Sequence, residues 1–239
     1  GLDSIMCEEV YTRIESVKSS TIFGFSLGQS SNGLPILGHR FGSRGPEVLI
    51  LGGVHGDETE GVVSALGLVK LFSTSFPYKL RVTVVPAFNT DGVLAKTRLN
   101  ARGVDLNRNL PTNDWNPSAF NRRYPPGPYA NSEPENQALV NYLTETRPRL
   151  IVSLHSWHPV LNVNGACQEE AKVISQWTGY KIDEHIGYPT PGCLGTYAGL
   201  ERDMPTLTYE IQRGQEPTSI LNMHLPAISE GLKVTERKQ

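Results

Sequence analysis

Four short stretches of this sequence carry residue types that could do chemistry together. The first is His55-Gly56-Asp57-Glu58, just past the apolar run Val48–Gly53. A histidine and a carboxylate three residues apart, at a turn leading from a strand into a helix, can face one side and share a cation. Zinc accepts both donor types, and catalytic zinc sites typically use three protein ligands plus one open position. The second is His155, which closes the run Leu150–His155 (LIVSLH). The third is Glu210, inside the apolar segment Thr206–Ile211 (TLTYEI). An ionisable side chain in a buried strand is costly unless it is paired or functional. A carboxylate beside an attacking water can take its proton and later deliver it to a leaving amine. The fourth is Gly103-Val-Asp-Leu-Asn-Arg-Asn109, with Arg98 and Arg102 upstream. Arginine suits bidentate recognition of a carboxylate, and a second arginine near a metal can stabilise a developing oxyanion.

Each stretch could also serve a plainer purpose when taken alone. Glu58 could cap a turn beside a surface histidine. His155 could be a core histidine satisfied by backbone. Glu210 could be a strand-end glutamate paired with Arg213. The arginines could be exposed. His158 competes with His155 as a ligand but lies beyond the strand end. The four stretches can act together only if they meet in one place, so the elements that position them matter.

Strand-like runs occur at Val48–Gly53, Arg81–Phe88, Leu150–His155 and Thr206–Ile211. Between them, Thr59–Phe72 spaces Val62, Val63, Leu66, Val69 and Leu71 like one face of a helix. Glu169–Thr178 and Ser219–Leu232 are further helix candidates. Ser132-Glu-Pro-Glu135 has the pattern of a capping box opening another helix, with Ala138, Leu139, Tyr142 and Leu143 on one face. Strands alternating with helices predict an α/β fold. Ligands bind such sheets outside the carboxyl ends of their strands, where His55 and His155 fall. Asn89–Asn131 shows little periodicity, and a loop that long is usually functional. Neither a repeat nor a linker divides the chain, so residues 1–239 read as one domain.

Composition narrows the function classes. A net charge of −2 argues against nucleic-acid binding, which needs a basic excess. No apolar run approaches the roughly 18 residues of a membrane span. The three cysteines, Cys7, Cys167 and Cys193, are too few and too scattered for a disulfide framework, which favours a reducing compartment.

In this order, the motifs resemble the zinc carboxypeptidase family: His-x-x-Glu, then Asn-Arg, then a strand-ending His, then a late-strand Glu. Here they are His55 with Glu58, Asn107-Arg108, His155 and Glu210, and the likeness runs over residues 47 to 212. It implies a single α/β domain with a mixed, mostly parallel central sheet flanked by helices, holding one zinc ion. By that resemblance His55, Glu58 and His155 bind zinc, and Glu210 is general base and then acid. Asn107 and Arg108 bind the substrate's terminal carboxylate. Arg98 stabilises the oxyanion, with Arg102 as the alternative, and Tyr188 closes over the substrate. Gly103–Pro111, Ser132–Glu135 and Gly187–Tyr197 are similar to members that cut the γ-D-glutamyl–meso-diaminopimelate bond of bacterial murein peptides. Cys193 and Tyr197 depart from those members, where serine and tryptophan are usual. The substrate expected is thus a murein peptide, with small Gly192, Gly195 and Thr196 leaving room for its far end. Recycling of wall fragments would place the enzyme in the cytoplasm, and remodelling of intact wall in the periplasm. The alternatives are an N-acyl amino acid deacylase of the aspartoacylase or succinylglutamate desuccinylase kind, which shares His-x-x-Glu and Asp-Leu-Asn-Arg, and a non-catalytic binding module.

Overall fold

Four apolar runs form the middle of one sheet because strands buried on both faces need apolar side chains on both. In the computed structural model, which describes residues 23–117, 122–184 and 190–238, these are β3 (Glu47–Gly52), β4 (Arg81–Val85), β5 (Leu150–Trp157) and β8 (Thr206–Gln212). They run parallel in the order β4-β3-β5-β8. The run predicted to reach Phe88 leaves the sheet after Val85. Sequence periodicity did not find the remaining strands. Glycines and a proline interrupt the hairpin β1 (Phe23–Gln29) and β2 (Pro35–Phe41), which adds antiparallel to β4. Beyond β8 lie β6 (Val160–Asn164), antiparallel to it, and the short β7 (Ile182–Asp183). The full order is β1-β2-β4-β3-β5-β8-β6-β7, so the sheet is mixed and mostly parallel at its centre.

Helices α1 (Thr59–Thr74), α4 (Gln168–Thr178) and α5 (Pro217–Arg237) cover one face. Val48, Ile50, Val82, Val152, Leu154, Leu207, Tyr209 and Ile211 point into that layer against Leu68, Phe72, Ile174, Ile228 and Leu232. Each aliphatic side chain buried there contributes about 1.5–3 kcal/mol. Leu49, Leu51 and Ile151 point the other way, to Leu106, Leu110, Leu139, Leu143, Leu194 and Tyr197. This second layer consists of α3 (Pro134–Thr146) and long loops, and these loops form the site.

Asn89–Asn131 is less irregular than predicted. Asn89 accepts a hydrogen bond from Gly92 N and caps a short helix, α2 (Thr90–Ala95). Asp105 likewise caps a 3-10 turn at Leu106–Arg108. The capping box predicted at Ser132–Glu135 does not form. Helix α3 starts at Pro134 with Glu133 at its cap position and no side-chain cap. Tertiary partners take both groups: Ser132 Oγ bonds Asn109 and Glu133, while Glu135 accepts from Ser31 and Asn100.

Candidate active site

Strands β3 and β5 are neighbours at the point where the sheet order reverses, and both deliver ligands at their carboxyl ends. His55 and Glu58 occupy the tight turn between β3 and α1. At Gly56, between them, an added Cβ would stand 2.1 Å from the Gly92 carbonyl carbon, so the turn lies directly on α2. The strand predicted to stop at His155 runs on to Trp157, so His155 lies two residues inside the carboxyl end of β5, paired in register with Glu210 on β8.

The three side chains are buried and converge. Glu58 Oε2 lies 2.8 Å from His55 Nδ1, and Glu58 Oε1 lies 3.1 Å from His155 Nδ1. The two Nδ1 atoms are 3.3 Å apart. Tetrahedral zinc with arms of about 2.0–2.1 Å has ligand–ligand edges of about 3.3–3.4 Å; the separation of the two Nδ1 atoms matches that edge, while Glu58 makes shorter contacts with the two rings through different oxygens. The outer partners fit too. His55 Nε2 meets Asp105 Oδ1 at 2.9 Å, and His155 Nε2 meets Ser153 Oγ at 2.9 Å. Each ring is anchored through Nε2 and offers Nδ1 to the site, the usual arrangement of metal-binding histidines.

Charge is concentrated here. Burial alone would lower the His55 pKa, but the Asp105 and Glu58 carboxylates outweigh it and raise it to about 9. Burial opposes ionisation of Glu58, yet its two histidine neighbours hold it well below the usual carboxylate range. His55 and Arg98 do the same for buried Asp105. Arg98 donates to Glu58 Oε2 and to Asp105 Oδ2, both at 3.2 Å. Glu210 behaves oppositely. Burial raises its pKa, and among the described residues its carboxylate makes no hydrogen bond. Arg213 is not its partner, because Arg213 pairs with Asp57 at 3.3 Å.

A cavity of about 660 Å³ opens over these groups, lined also by Arg98, Asn107, Arg108, Tyr124, Gly195, Thr196 and Glu210. Arg108 is buried, and its guanidinium bonds only the Asn107 carbonyl, with no ion pair among the described residues. Tyr124 lies between the two arginines, its ring centroid 5.0 Å from each guanidinium carbon. Asn107 Oδ1 accepts from Leu194 N at 2.9 Å and ties the Arg108 turn to the loop opposite. Gly192 closes the same junction: its φ is +77°, and a Cβ would fall 2.1 Å from the Arg108 carbonyl oxygen.

Thus the fold brings together His55, Glu58, His155, Glu210, Arg98, Asn107, Arg108, Gly195 and Thr196. Arg102 is exposed and does not line the cavity, and His158 is exposed at its rim beside Trp157. Tyr188 lies outside the described residues. Sequence reasoning gave no role to Asp105 or Tyr124. The signal for Asp105 was its place in Asp-Leu-Asn-Arg, two residues before Asn107. No local pattern marks Tyr124.

The zinc carboxypeptidase family profile matches residues 8–177. Murein peptide amidase A of Vibrio campbellii is 32% identical over 203 residues, 78% of each chain. That of Escherichia coli is 33% identical over 166 residues, 62% of this chain and 64% of its own length. The crystal structure of murein-tripeptide amidase from Escherichia coli superposes with a TM-score of 0.73 at 27% identity, covering 88% of this chain and 91% of that one. Carboxypeptidase A from Helicoverpa armigera shares the fold, with a TM-score of 0.78 at 20% identity over 96% of this chain and 72% of that one. A converging His–Glu–His donor triad at the sheet's reversal point and a profile match over most of the sequence agree: the chain belongs to the zinc carboxypeptidase family.

Proposed function

We propose that this enzyme is a zinc carboxypeptidase that hydrolyses murein peptides at the bond between γ-D-glutamate and a carboxy-terminal meso-diaminopimelate. Arg108 carries the carboxypeptidase part of this reading. Among the described residues this buried guanidinium has no anionic partner, which is unfavourable, and a substrate carboxylate in the cavity would supply the anion. The charge-assisted bond is worth about 1.5–3 kcal/mol. Names of the relatives supply the murein part, and they favour it over an N-acyl amino acid deacylase.

His55, Glu58 and His155 would hold the zinc ion. When bound, zinc supplies a Lewis acid for the scissile carbonyl and lowers the pKa of water to about 7. The chain's own residues do the rest. Arg108, with Asn107 Nδ2 beside it, fixes the terminal carboxylate and so sets which amide bond lies over Glu210. Glu210 takes a proton from the attacking water. Its raised pKa suits it to hold that proton briefly and pass it to the leaving diaminopimelate nitrogen. Arg98, kept in place by Glu58, Asp105 and the Tyr124 face, donates to the oxyanion as the carbonyl becomes tetrahedral. For compartment we propose the cytoplasm, since Cys167 and Cys193 are free thiols. Cell fractionation tests this, and a periplasmic signal would refute it.

The functional test is incubation of the zinc-loaded protein with L-Ala-γ-D-Glu-meso-diaminopimelate, followed by mass spectrometry. Free diaminopimelate should appear, and should vanish with a chelator and with Glu210→Gln. A zinc-bound protein that releases none would refute the murein assignment.

A further inference from the structure

One cation of the cavity has no part in the steps above. Arg213 directly follows β8, three residues past Glu210, and lines the cavity. Its backbone N–H donates to the Trp157 carbonyl at 3.2 Å, which ties it to the end of β5. Its guanidinium turns back to the loop between β3 and α1. There Nη2 donates to the Asp57 carbonyl at 3.1 Å and lies 3.3 Å from Asp57 Oδ2. Asp57 stands between His55 and Glu58 in sequence, so these contacts hold the guanidinium beside the metal-ligand turn.

Asp57 engages a single nitrogen. Nη1 and Nε make no hydrogen bond to any described residue. The Arg213 side chain is 44% exposed, so those donors are open to a ligand. An exposed ion pair contributes little to stability, which makes stability alone a weak reason for an arginine here. Arginine also offers the planar fork that suits a carboxylate.

The chemistry of a γ-glutamyl bond says what this fork would meet. Hydrolysis at the side-chain carbonyl leaves the α-carboxylate of the glutamyl residue free, a short carbon chain away on the acyl side. An ordinary α-linked peptide carries a neutral amide in that region. Arg98 is already held by Glu58 and Asp105. Arg108 approaches from the junction of Asn107 with Leu194 and takes the carboxylate of the leaving residue. Arg213 approaches from a separate element, so the two ends of a substrate lying across Glu210 each have a cation. We propose that Arg213 binds the free α-carboxylate of the γ-linked glutamyl residue and so selects that acyl group over its amidated counterpart. The inference rests on the murein peptidase reading and adds to it a determinant on the acyl side of the bond. A site that hydrogen-bonds a substrate group discriminates against the analogue lacking it.

The test compares kcat/KM for L-Ala-γ-D-Glu-meso-diaminopimelate and for the same peptide with the α-carboxylate as carboxamide, L-Ala-γ-D-isoglutaminyl-meso-diaminopimelate. The zinc-loaded parent should prefer the acid by about tenfold or more, the lower end for a charge-assisted bond because the site is partly exposed. Arg213→Gln should bring the ratio to within about twofold of one, by slowing the acid and leaving the amide within about twofold of the parent. Zinc content and the thermal midpoint of each variant are checked alongside. Arg213→Lys keeps the charge facing Asp57 but not the fork, and should retain only about a threefold preference; it decides the matter if Arg213→Gln does not fold. A ratio unchanged from the parent's in a folded, zinc-loaded Arg213 variant overturns the assignment, while diaminopimelate release leaves the peptidase reading intact. A parent that cleaves acid and amide equally well does the same. A parent that cleaves neither overturns the peptidase reading and the role of Arg213 with it.

Discussion

Asp105 makes no contact with the proposed zinc position, yet replacing it should loosen the metal. The carboxylate is fully buried. Its Oδ1 accepts from His55 Nε2 and from the Asn107 backbone N–H, both at 2.9 Å, and its Oδ2 accepts from Arg98. It thereby fixes the proton on His55 Nε2, frees the Nδ1 lone pair for the ion and makes the ring more basic. Asp105→Asn keeps the shape and one acceptor oxygen but removes the charge. Loss of such an outer partner typically lowers metal affinity 10–100-fold, which is about 1.4–2.7 kcal/mol. Asp105→Ala is the poorer probe, because stripping one partner from a buried charge pair costs about 3–5 kcal/mol and threatens the fold. Zinc affinity would be measured by competition with a chromophoric chelator. Thermal unfolding with and without zinc gives an independent readout, and the gap between the two midpoints should narrow. A folded Asp105→Asn protein that binds zinc as tightly as the parent would refute the idea that this carboxylate tunes His55.

Three further outcomes follow from the same geometry. In the metal-free protein His55 has a pKa raised to about 9, so its charged form contributes stability that is full below about pH 6.5 and lost as pH rises through about 9. Zinc must displace that proton, so binding at pH 7.5 should release close to one proton, seen by calorimetry in buffers of different ionisation enthalpy; a release of zero would contradict the charge assignment. Glu210→Gln should lower kcat by about 10²–10⁴-fold with zinc affinity retained. Because burial raises the Glu210 pKa in the metal-free protein, titration of that carboxylate in the metal-free protein should lie above the ordinary glutamate range, and a value at or below about 4.3 would count against it. Gly192→Ala should destabilise by at least about 1–3 kcal/mol in denaturant melts, from overpacking on the Arg108 carbonyl and from strain at φ +77°, and should raise KM for carboxylate-terminated substrates; an unchanged melt would show that the loop gives way.

The central strands could be read from sequence because β3, β4, β5 and β8 are buried on both faces, and a short continuous apolar run bounded by turn residues suits little else in an α/β fold. The same logic hid β6. Its residues Val160-Leu-Asn-Val-Asn164 alternate cleanly, but the asparagines face the cavity rather than bulk water, and a polar ligand-facing side looks like a loop when no partner strand is in view. Glycines and Pro35 masked the β1–β2 hairpin in a similar way. The capping box at Ser132–Glu135 failed for the opposite reason. The local pattern is present, but Asn109 and Ser31, distant in sequence, compete successfully for its two side chains. In the site, the meeting of His55, Glu58, His155, Glu210 and Arg108 at one cavity was legible because few structural needs place a histidine near a strand end or a lone carboxylate within a buried strand. Asp105 and Tyr124 were not, since their work depends on what they touch. Asp105 reads as a turn cap and does cap the 3-10 turn, but the same oxygen also anchors His55 fifty residues away. One carboxylate can serve both because the long loop folds back over the carboxyl ends of β3 and β5. A local rule met at Asp105 therefore indicates neither that its capacity is exhausted nor that its second bond is the lesser one.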